Sequence, residues 1–446
     1  MDIVNQTFLV AGLGASGKSA IELILKRGGK CYVYDDDTEK YKNENVQTLV
    51  SSGARLVLKD DLDNVIDKID VLVLSPGVPL DHDIAVKCKN KGKRIIGELE
   101  LGYLSAFPTY VCITGTNGKT TTTSMVQEIL KQGSRNVHVV GNIGIPITSK
   151  CESFNAEDIV VCEVSSFQLE TFTSFIPHIA AILNITPDHL SRHYNMDNYI
   201  YLKGKILRNL RESEYCVLNA EDATVKQFAS ATRAKVVYFS DKQEVDGAYL
   251  KGGKIYFKGE EILPVDEIPI GGEHNVQNTL ASVAISKILG YDNQTIANGI
   301  KSFRGVKHRI ELVKEKDGVS YINDSKATNI DATIKAIDCI NKPIVLILGG
   351  KDKGLDYELL FEEIKRKDVV HVVLTGETRY AMLECASRMG YYEVTLSSSF
   401  ESAVKIASIE CPKGGAVLLS PACSSFDCFS GYEERGNRFC EIVEKL

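Results

Sequence analysis

The sequence contains no long basic run and carries a formal net charge of −7, so a nucleic acid or an anionic membrane surface is not an expected partner. No apolar stretch approaches the roughly 20 residues that a helix needs to cross a bilayer. Met1 to Gln6 lack the basic start of a secretory leader, and a soluble cytoplasmic protein is expected. The twelve cysteines include no Cys-x-x-Cys pair and no Cys/His spacing of the zinc type. Cys112 and Cys162 lie in apolar runs and read as reduced core residues. Cys423 sits near Ser424 and Asp427 with no histidine in its motif, which argues against a cysteine nucleophile.

What is present is a repeated alternation of apolar strand-like runs and helical patterns over 446 residues, enough for two to four α/β domains with parallel sheets. The richest stretch is Gly115-Thr116-Asn117-Gly118-Lys119-Thr120-Thr121. It follows the apolar run Tyr110 to Thr114 and precedes an amphipathic helix through Met125 to Leu130. A strand, a glycine turn and a helix N-terminus aim backbone N–H groups and a positive dipole end at one spot, which favours a phosphate. Lys119 is placed to reach β- and γ-phosphates, and Thr120 to offer its hydroxyl to magnesium. The loop is shorter than the full Walker pattern, because Ile113 stands where that pattern has its first glycine.

A second glycine turn, Gly12-Leu13-Gly14-Ala15-Ser16-Gly17, follows the strand Phe8 to Ala11, and the next strand ends at Asp35. Glycines and acid together fit a dinucleotide fingerprint. Taken alone they suggest an NAD-dependent oxidoreductase, but the same geometry binds any pyrophosphate and ribose. The run Val71 to Leu74 ends in Ser75-Pro76-Gly77. Further polar loops close strand-like runs at Gly141 to Gly144, at Glu163-Val164-Ser165-Ser166-Phe167-Gln168-Leu169-Glu170 and at Asn184 to Leu190. Glu163 and His189 are oxygen and nitrogen ligands suited to magnesium or manganese. Ala248 to Phe257 reads as a hairpin with a Gly-Gly turn, marking a small antiparallel insertion. The last third places three polar loops at strand ends: Asp324 to Asn329, Gly349 to Gly354, and Ser420 to Asp427.

Together these motifs closely resemble the Mur ligase family of peptidoglycan synthesis over essentially the whole chain. The resemblance implies three domains: a Rossmann-like N-terminal domain at 1–94, a central P-loop-type mononucleotide-binding domain with a parallel sheet and the antiparallel insertion at 95–305, and a Rossmann-like C-terminal domain at 306–446. It implies ATP-dependent ligation of D-glutamate to the L-alanine carboxylate of UDP-N-acetylmuramoyl-L-alanine through an acyl phosphate, by a monomer.

The resemblance also implies roles. Gly115 to Thr121, with Asn275, Arg309 and Asp324, would hold ATP; Ser16, Asp35, Ser75, Gly77 and Asn142 would hold the UDP substrate. Thr120, Glu163, His189 and a CO2-carbamylated Lys203 would hold magnesium, with two ions expected. Lys205 shares the spacing from a tyrosine that selects Lys203. Lys119, Lys203, Glu163, His189 and Lys326 would be the catalytic set, and Thr328, Lys353, Ser425 and Tyr432 would grip D-glutamate.

Overall fold

The computed structural model describes residues 1–446 except Ile143, Gly144, Lys353 and Leu355. The described residues form an α/β protein with three sheets. They pack into two compact units, Met1–Ile268 with Val276–Phe303, and Pro269–Asn275 with Arg304–Leu446. No helix among them is long and apolar enough to cross a membrane.

The first sheet holds β1 (Thr7–Ala11), β2 (Lys30–Tyr34), β3 (Arg55–Leu56), β4 (Val71–Leu74) and β5 (Arg94–Gly97), in the order β3-β2-β1-β4-β5. All its pairings are parallel. β4 is buried at every residue, as expected of a strand covered on both faces by crossover helices. The helix Ala15–Lys26 follows β1 directly. It lies so close that a Cβ on Gly17 would come within 1.7 Å of the Gly12 carbonyl oxygen. Gly17 is therefore a condition of the turn, and not a general preference for flexibility.

In the same unit lies the second sheet: β6 (Thr109–Thr114), β7 (Val137–Gly141), β8 (Ile159–Glu163), β9 (Ile179–Ile182), β10 (Tyr215–Asn219), β11 (Lys235–Ser240), β12 (Gly247–Lys251), β13 (Lys254–Phe257) and β14 (Glu260–Pro264). Their order is β14-β13-β12-β11-β10-β9-β6-β8-β7. The expected hairpin is β12 and β13, closed by Gly252 and Gly253 with φ of 56° and 75°, the left-handed pair that a two-residue turn matched to strand twist demands. With β14 it forms the small antiparallel part of the central sheet. β11 pairs parallel to β12, so the hairpin and β14 extend the edge of the main sheet.

The second unit carries β15 (Glu311–Lys316), β16 (Val319–Asn323), β17 (Ile344–Leu348), β18 (Val369–Leu374), β19 (Val394–Leu396) and β20 (Ala416–Leu419), ordered β15-β16-β20-β17-β18-β19. Only the β15–β16 pairing is antiparallel. Strand order reverses between β17 and β20, which puts the loops after both at the usual ligand position of an open α/β sheet.

Between the first two sheets a buried polar chain runs from Ser19 through Thr148 to Glu98. Ser19 and Thr148 share a hydroxyl hydrogen bond of 2.7 Å, and Thr148 donates from Oγ1 (2.7 Å) and N (2.8 Å) to Glu98 Oε1. Oε2 of Glu98 is buried with no hydrogen-bond partner among the described residues. Burial pushes the Glu98 carboxyl up to about 7. A carboxyl with a raised folded value favours the fold while protonated, and that contribution is lost as pH rises from its unfolded value through 7. Glu98→Gln is therefore expected to raise the thermal midpoint by several degrees at pH 8 and to leave it unchanged near pH 4.5. Equal effects at both pH values in parallel melts would refute this.

Candidate active site

The N-terminal cavity is about 580 Å³ and is lined by Ser16, Asp35, Ser75 and Gly77, four of the expected sugar-nucleotide residues, with Tyr34, Asp36, Lys40 and His82. The turn after β1 is held by its neighbours. Asp35 Oδ2 accepts from Leu13 N at 2.7 Å, Lys40 Nζ bonds Asp35 Oδ1 at 2.9 Å, and Ser75 Oγ donates to Gly12 O at 2.9 Å. Sequence reasoning missed a second layer of the cavity. Tyr34 donates to Asp36 Oδ1 (2.8 Å), and His82 Nε2 meets Asp36 Oδ2 (2.9 Å). The Asp35-Asp36-Asp37 run was a readable signal for it; nothing in the local pattern marked His82, which also caps the helix Asp83–Asn90.

At the end of β6, Gly115 (φ 155°) and Gly118 (φ 83°) shape the loop that opens the helix Lys119–Leu130. A Cβ at Gly118 would meet Asn278 Oδ1 at 2.3 Å, so the left-handed turn has no room for another residue. Asn184 holds the loop from the end of β9: its Oδ1 accepts from Asn117 N (2.8 Å) and its Nδ2 donates to Asn117 O (3.1 Å). Thr116 Oγ1 donates to Thr186 O (3.0 Å) and meets the Tyr199 hydroxyl (3.1 Å).

Two lysines converge on one carbonyl. Lys119 Nζ donates to Gly115 O at 2.9 Å and to Thr116 O at 2.7 Å, while Lys203 Nζ donates to Gly115 O at 2.7 Å and to Thr114 Oγ1 at 3.1 Å. Lys203 is fully buried. Burial, reinforced by the Lys119 charge, holds its amine well below the usual lysine range, which favours the neutral, nucleophilic form. Lys205 goes elsewhere: its Nζ donates to Glu170 O at 2.6 Å.

Glu163, the last residue of β8, is 1% exposed. Its Oε2 accepts from Thr120 Oγ1 (2.9 Å) and its Oε1 from Asn142 Nδ2 (2.7 Å). Asn142 is thus placed at Glu163 and is not a lining residue of the N-terminal cavity. Both of those donors are neutral, and a buried carboxylate with neutral donors and a hydroxyl beside it suits a hard divalent cation. His189 caps the helix Leu190–His193 in the left-handed region (φ 55°), its ring 4.8 Å from that of Phe167. No group of three His, Cys, Asp or Glu side chains converges among the described residues. Magnesium is often held by one or two carboxylates, with water and phosphate completing its shell.

In the second unit Asp324 is fully buried at the end of β16. It accepts from Ile310 N (3.2 Å) and Ser420 Oγ (2.8 Å), with Arg309 Nη1 3.6 Å away. Burial outweighs that cation and pushes its carboxyl up to about 6. Asn275 Nδ2 donates to Gly271 O at 2.7 Å. Lys326 Nζ meets the Tyr432 hydroxyl at 3.0 Å and lies 4.7 Å from its ring centroid. Thr328 is half-buried just before the helix Ile330–Asp338. Ser425 is buried, and its carbonyl receives Phe429 N at 2.9 Å. Lys353 lies outside the described residues.

A cavity of about 420 Å³ over Gly350, Lys351, Glu377, Arg379 and Asp427 is not lined by Thr328, Ser425 or Tyr432. Arg435, absent from the sequence reading, is buried and ties two of the loops, donating to Ser325 Oγ (3.0 Å), Ser325 O (2.8 Å) and Cys423 O (3.0 Å). It belongs to a charged helical stretch that gave no sign of burial.

The geometry at Glu163 gives a direct expectation. Glu163→Gln keeps the shape and removes a buried charge, so the thermal midpoint is expected to hold or rise. The extra midpoint shift that magnesium adds to ADP should disappear. A magnesium-dependent shift of wild-type size in the variant would show that the ion is held elsewhere.

Comparison with known proteins accounts for all three segments. Residues 6–97 match the Mur ligase MurD-like N-terminal domain, 113–286 the Mur ligase middle domain, and 308–423 the Mur ligase glutamate ligase domain. Proteins of Caldanaerobacter subterraneus and Clostridioides difficile, each named UDP-N-acetylmuramoylalanine--D-glutamate ligase, are 41% identical to this chain with all of both chains covered. The fold is also that of the UDP-N-acetylmuramate-alanine ligase MurC of Thermotoga maritima, with a TM-score of 0.63 at 21% identity, covering 99% of this chain and 100% of that one. The MurF ligase of Thermotoga maritima, solved in complex with ADP, gives a TM-score of 0.61 at 17% identity, covering 100% and 98%. With matched segments along most of its length and relatives this similar end to end, the chain belongs to the Mur ligase family.

Proposed function

We propose that the chain joins D-glutamate to the L-alanine carboxylate of UDP-N-acetylmuramoyl-L-alanine, using ATP and releasing ADP and phosphate. The observation that carries the chemistry is the loop after β6, where Lys119, Lys203, Thr120 and Glu163 come together. The name of the full-length relatives supports the choice of substrates.

A carboxylate is a poor electrophile, because its charge repels nucleophiles and its leaving group would be oxide. In the proposed reaction an L-alanine carboxylate oxygen attacks the γ-phosphorus of ATP. That P–O bond forms as the bond to ADP breaks, leaving an acyl phosphate. The D-glutamate amine then attacks the acyl carbon. A C–N bond forms, the amine sheds its proton, and the tetrahedral intermediate expels phosphate.

In phosphoryl transfer the protein chiefly positions groups and offsets charge. Lys119 would leave its backbone carbonyls for the γ-phosphate, and the N–H groups of the loop would receive phosphate oxygens. Thr120, Glu163, His189 and Lys203 would hold magnesium, which supplies charge neutralisation at the phosphates when bound. Lys203 would serve there once carbamylated by CO2, which turns an amine into a carboxylate-like ligand. Its depressed basicity supplies the neutral amine that this modification needs.

Ser16, Asp35, Ser75 and Gly77 would hold the uridine diphosphate in the N-terminal cavity, and Asn142 would act further in, beside Glu163. Asn275, Arg309 and Asp324 would hold the nucleoside of ATP, and Lys326 the reacting phosphate region. Thr328, Lys353, Ser425 and Tyr432 would hold D-glutamate, with Lys353 pairing a carboxylate. Functional domains at 1–94, 95–305 and 306–446, and a soluble cytoplasmic monomer, complete the reading.

Phosphate release from ATP is expected to require both the sugar nucleotide and D-glutamate, with L-glutamate and L-lysine inactive. Lys119→Ala should lower the rate by about 10²- to 10³-fold. Release supported by another amino acid would keep the family and overturn the substrate. Lys203→Ala should be inactive and partly restored by added acetate, which can occupy the space of the carbamate. Lys205→Ala should stay within about ten-fold of wild type, since its amine serves a neutral carbonyl. Inactivation by Lys205→Ala, with Lys203→Ala active, would reverse the assignment.

A further inference from the structure

The helix Leu190–His193 carries more than His189 at its N-cap. Arg192 spreads one guanidinium over two elements. Its Nε donates to Glu170 Oε1 at 2.9 Å and its Nη2 to Glu170 Oε2 at 2.7 Å, a two-bond pairing that a lysine cannot reproduce. The same group faces three successive carbonyls of the turn after β4: Nη1 donates to Gly77 O at 3.3 Å, and Nη2 to Pro76 O at 3.4 Å and Val78 O at 3.3 Å. The Phe167 ring lies against it, 5.0 Å from centroid to guanidinium carbon. The ion pair is largely withdrawn from water, with 18% of the Arg192 side chain and 8% of the Glu170 side chain exposed. A second tie joins the same partners, as the Tyr194 hydroxyl donates to the Asp81 carboxylate.

Pro76, Gly77 and Val78 line the N-terminal cavity. They hang by their carbonyls from a helix whose first turn is set by His189. A rearrangement of that turn must lengthen its bonds to Arg192, and Glu170 prevents Arg192 from following. We propose that Arg192, braced by Glu170, is a positioning residue that fixes the Pro76–Val78 turn against the His189 helix, so that filling of the uridine diphosphate cavity and placement of His189 are set together. The inference rests on the reading of that cavity given above. Arg192 acts through the turn and the helix and is assigned no contact with reacting atoms.

The test compares full-length wild type with Arg192→Lys, Glu170→Gln and the double variant. It measures the thermal midpoint, the midpoint shift produced by UDP, the KM for each substrate, and the magnesium concentration at half-maximal rate. Arg192→Lys keeps the charge and loses the fork. It is expected to raise the KM for UDP-N-acetylmuramoyl-L-alanine about ten-fold, to raise the magnesium requirement, to shrink the UDP shift, and to leave the KM for D-glutamate within about two-fold. Glu170→Gln, which retains one hydrogen bond to Arg192, should move the same quantities in the same direction by less. The double variant should be little worse than Arg192→Lys, because the two side chains act as one unit. A lower thermal midpoint with unchanged KM values, UDP shift and magnesium requirement would make Arg192 a strut and overturn the inference. A wild-type protein that UDP does not stabilise would overturn the cavity reading and the inference with it, whereas a wild-type shift fully retained in Arg192→Lys overturns the inference alone.

Discussion

The carbonyl of Gly115 receives both Lys119 and Lys203, and much of the central unit follows from that convergence. Burial of Lys203, with the repulsion of Lys119 added to it, weakens that amine's hold on its proton. The loop's N–H groups and the N-terminus of the helix Lys119–Leu130 add positive potential. The carboxylate placed opposite, Glu163, is itself buried and bonded to neutral donors. Lys119 and Lys203 are held by backbone carbonyls and Glu163 by neutral donors, an arrangement that a polyphosphate with a divalent cation would complement. Charged groups fixed in this way at the edge of a parallel sheet are a usual feature of sites that bind by electrostatic fit.

The scaffold makes that possible by using the same device repeatedly. In each sheet the central parallel strands, such as β4, β8, β9, β17 and β20, are buried on both faces, so the variable chemistry collects in the loops at the strands' carboxyl ends. The turn after β1, the loop after β6 and the loops after β16, β17 and β20 are instances of one solution. Their side chains are fixed from neighbouring strand ends. Asp35 holds the turn after β1, Asn184 the loop after β6, and Ser420 the carboxyl of Asp324. Loop residues are thereby tied to the scaffold while remaining at the carboxyl edge of the sheet.

Much of this was legible in the sequence where the signal is local. Glycines at 12, 17, 115 and 118 announce turns because a Cβ there would meet a neighbouring atom, and at 12, 115 and 118 the backbone also lies at positive φ, whereas Gly14 has room for a Cβ at φ −69°. The Gly252-Gly253 turn was readable because both residues sit in the left-handed region, with φ of 56° and 75°. What escaped was non-local. Nothing in the local pattern of Arg192 or Arg435 distinguishes it from a solvated helix charge, yet one joins the helix residue Glu170 to the turn after β4 and the other is buried between two loops of the second unit. His82 and Asp36 lie far apart in sequence and meet only because β2 and β4 flank β1. The hairpin's place as an extension of the central sheet depends on β11 pairing with β12, which no periodicity encodes.

The sequence by itself determined the strand–turn–helix units, their glycine requirements, the α/β class and the family, because these are set by residues close together along the chain. Only the tertiary structure decided which of Lys203 and Lys205 reaches the loop after β6. The two are separated by a fraction of a helical turn, and the turn of the helix Met196–Gly204 sends one amine to Gly115 O and the other to Glu170 O. It also decided that Asn142 serves Glu163 and that Arg192 grips the turn after β4. Each depends on how strand ends and helices pack in space, and packing is fixed by the burial of whole faces, which no single stretch of sequence specifies.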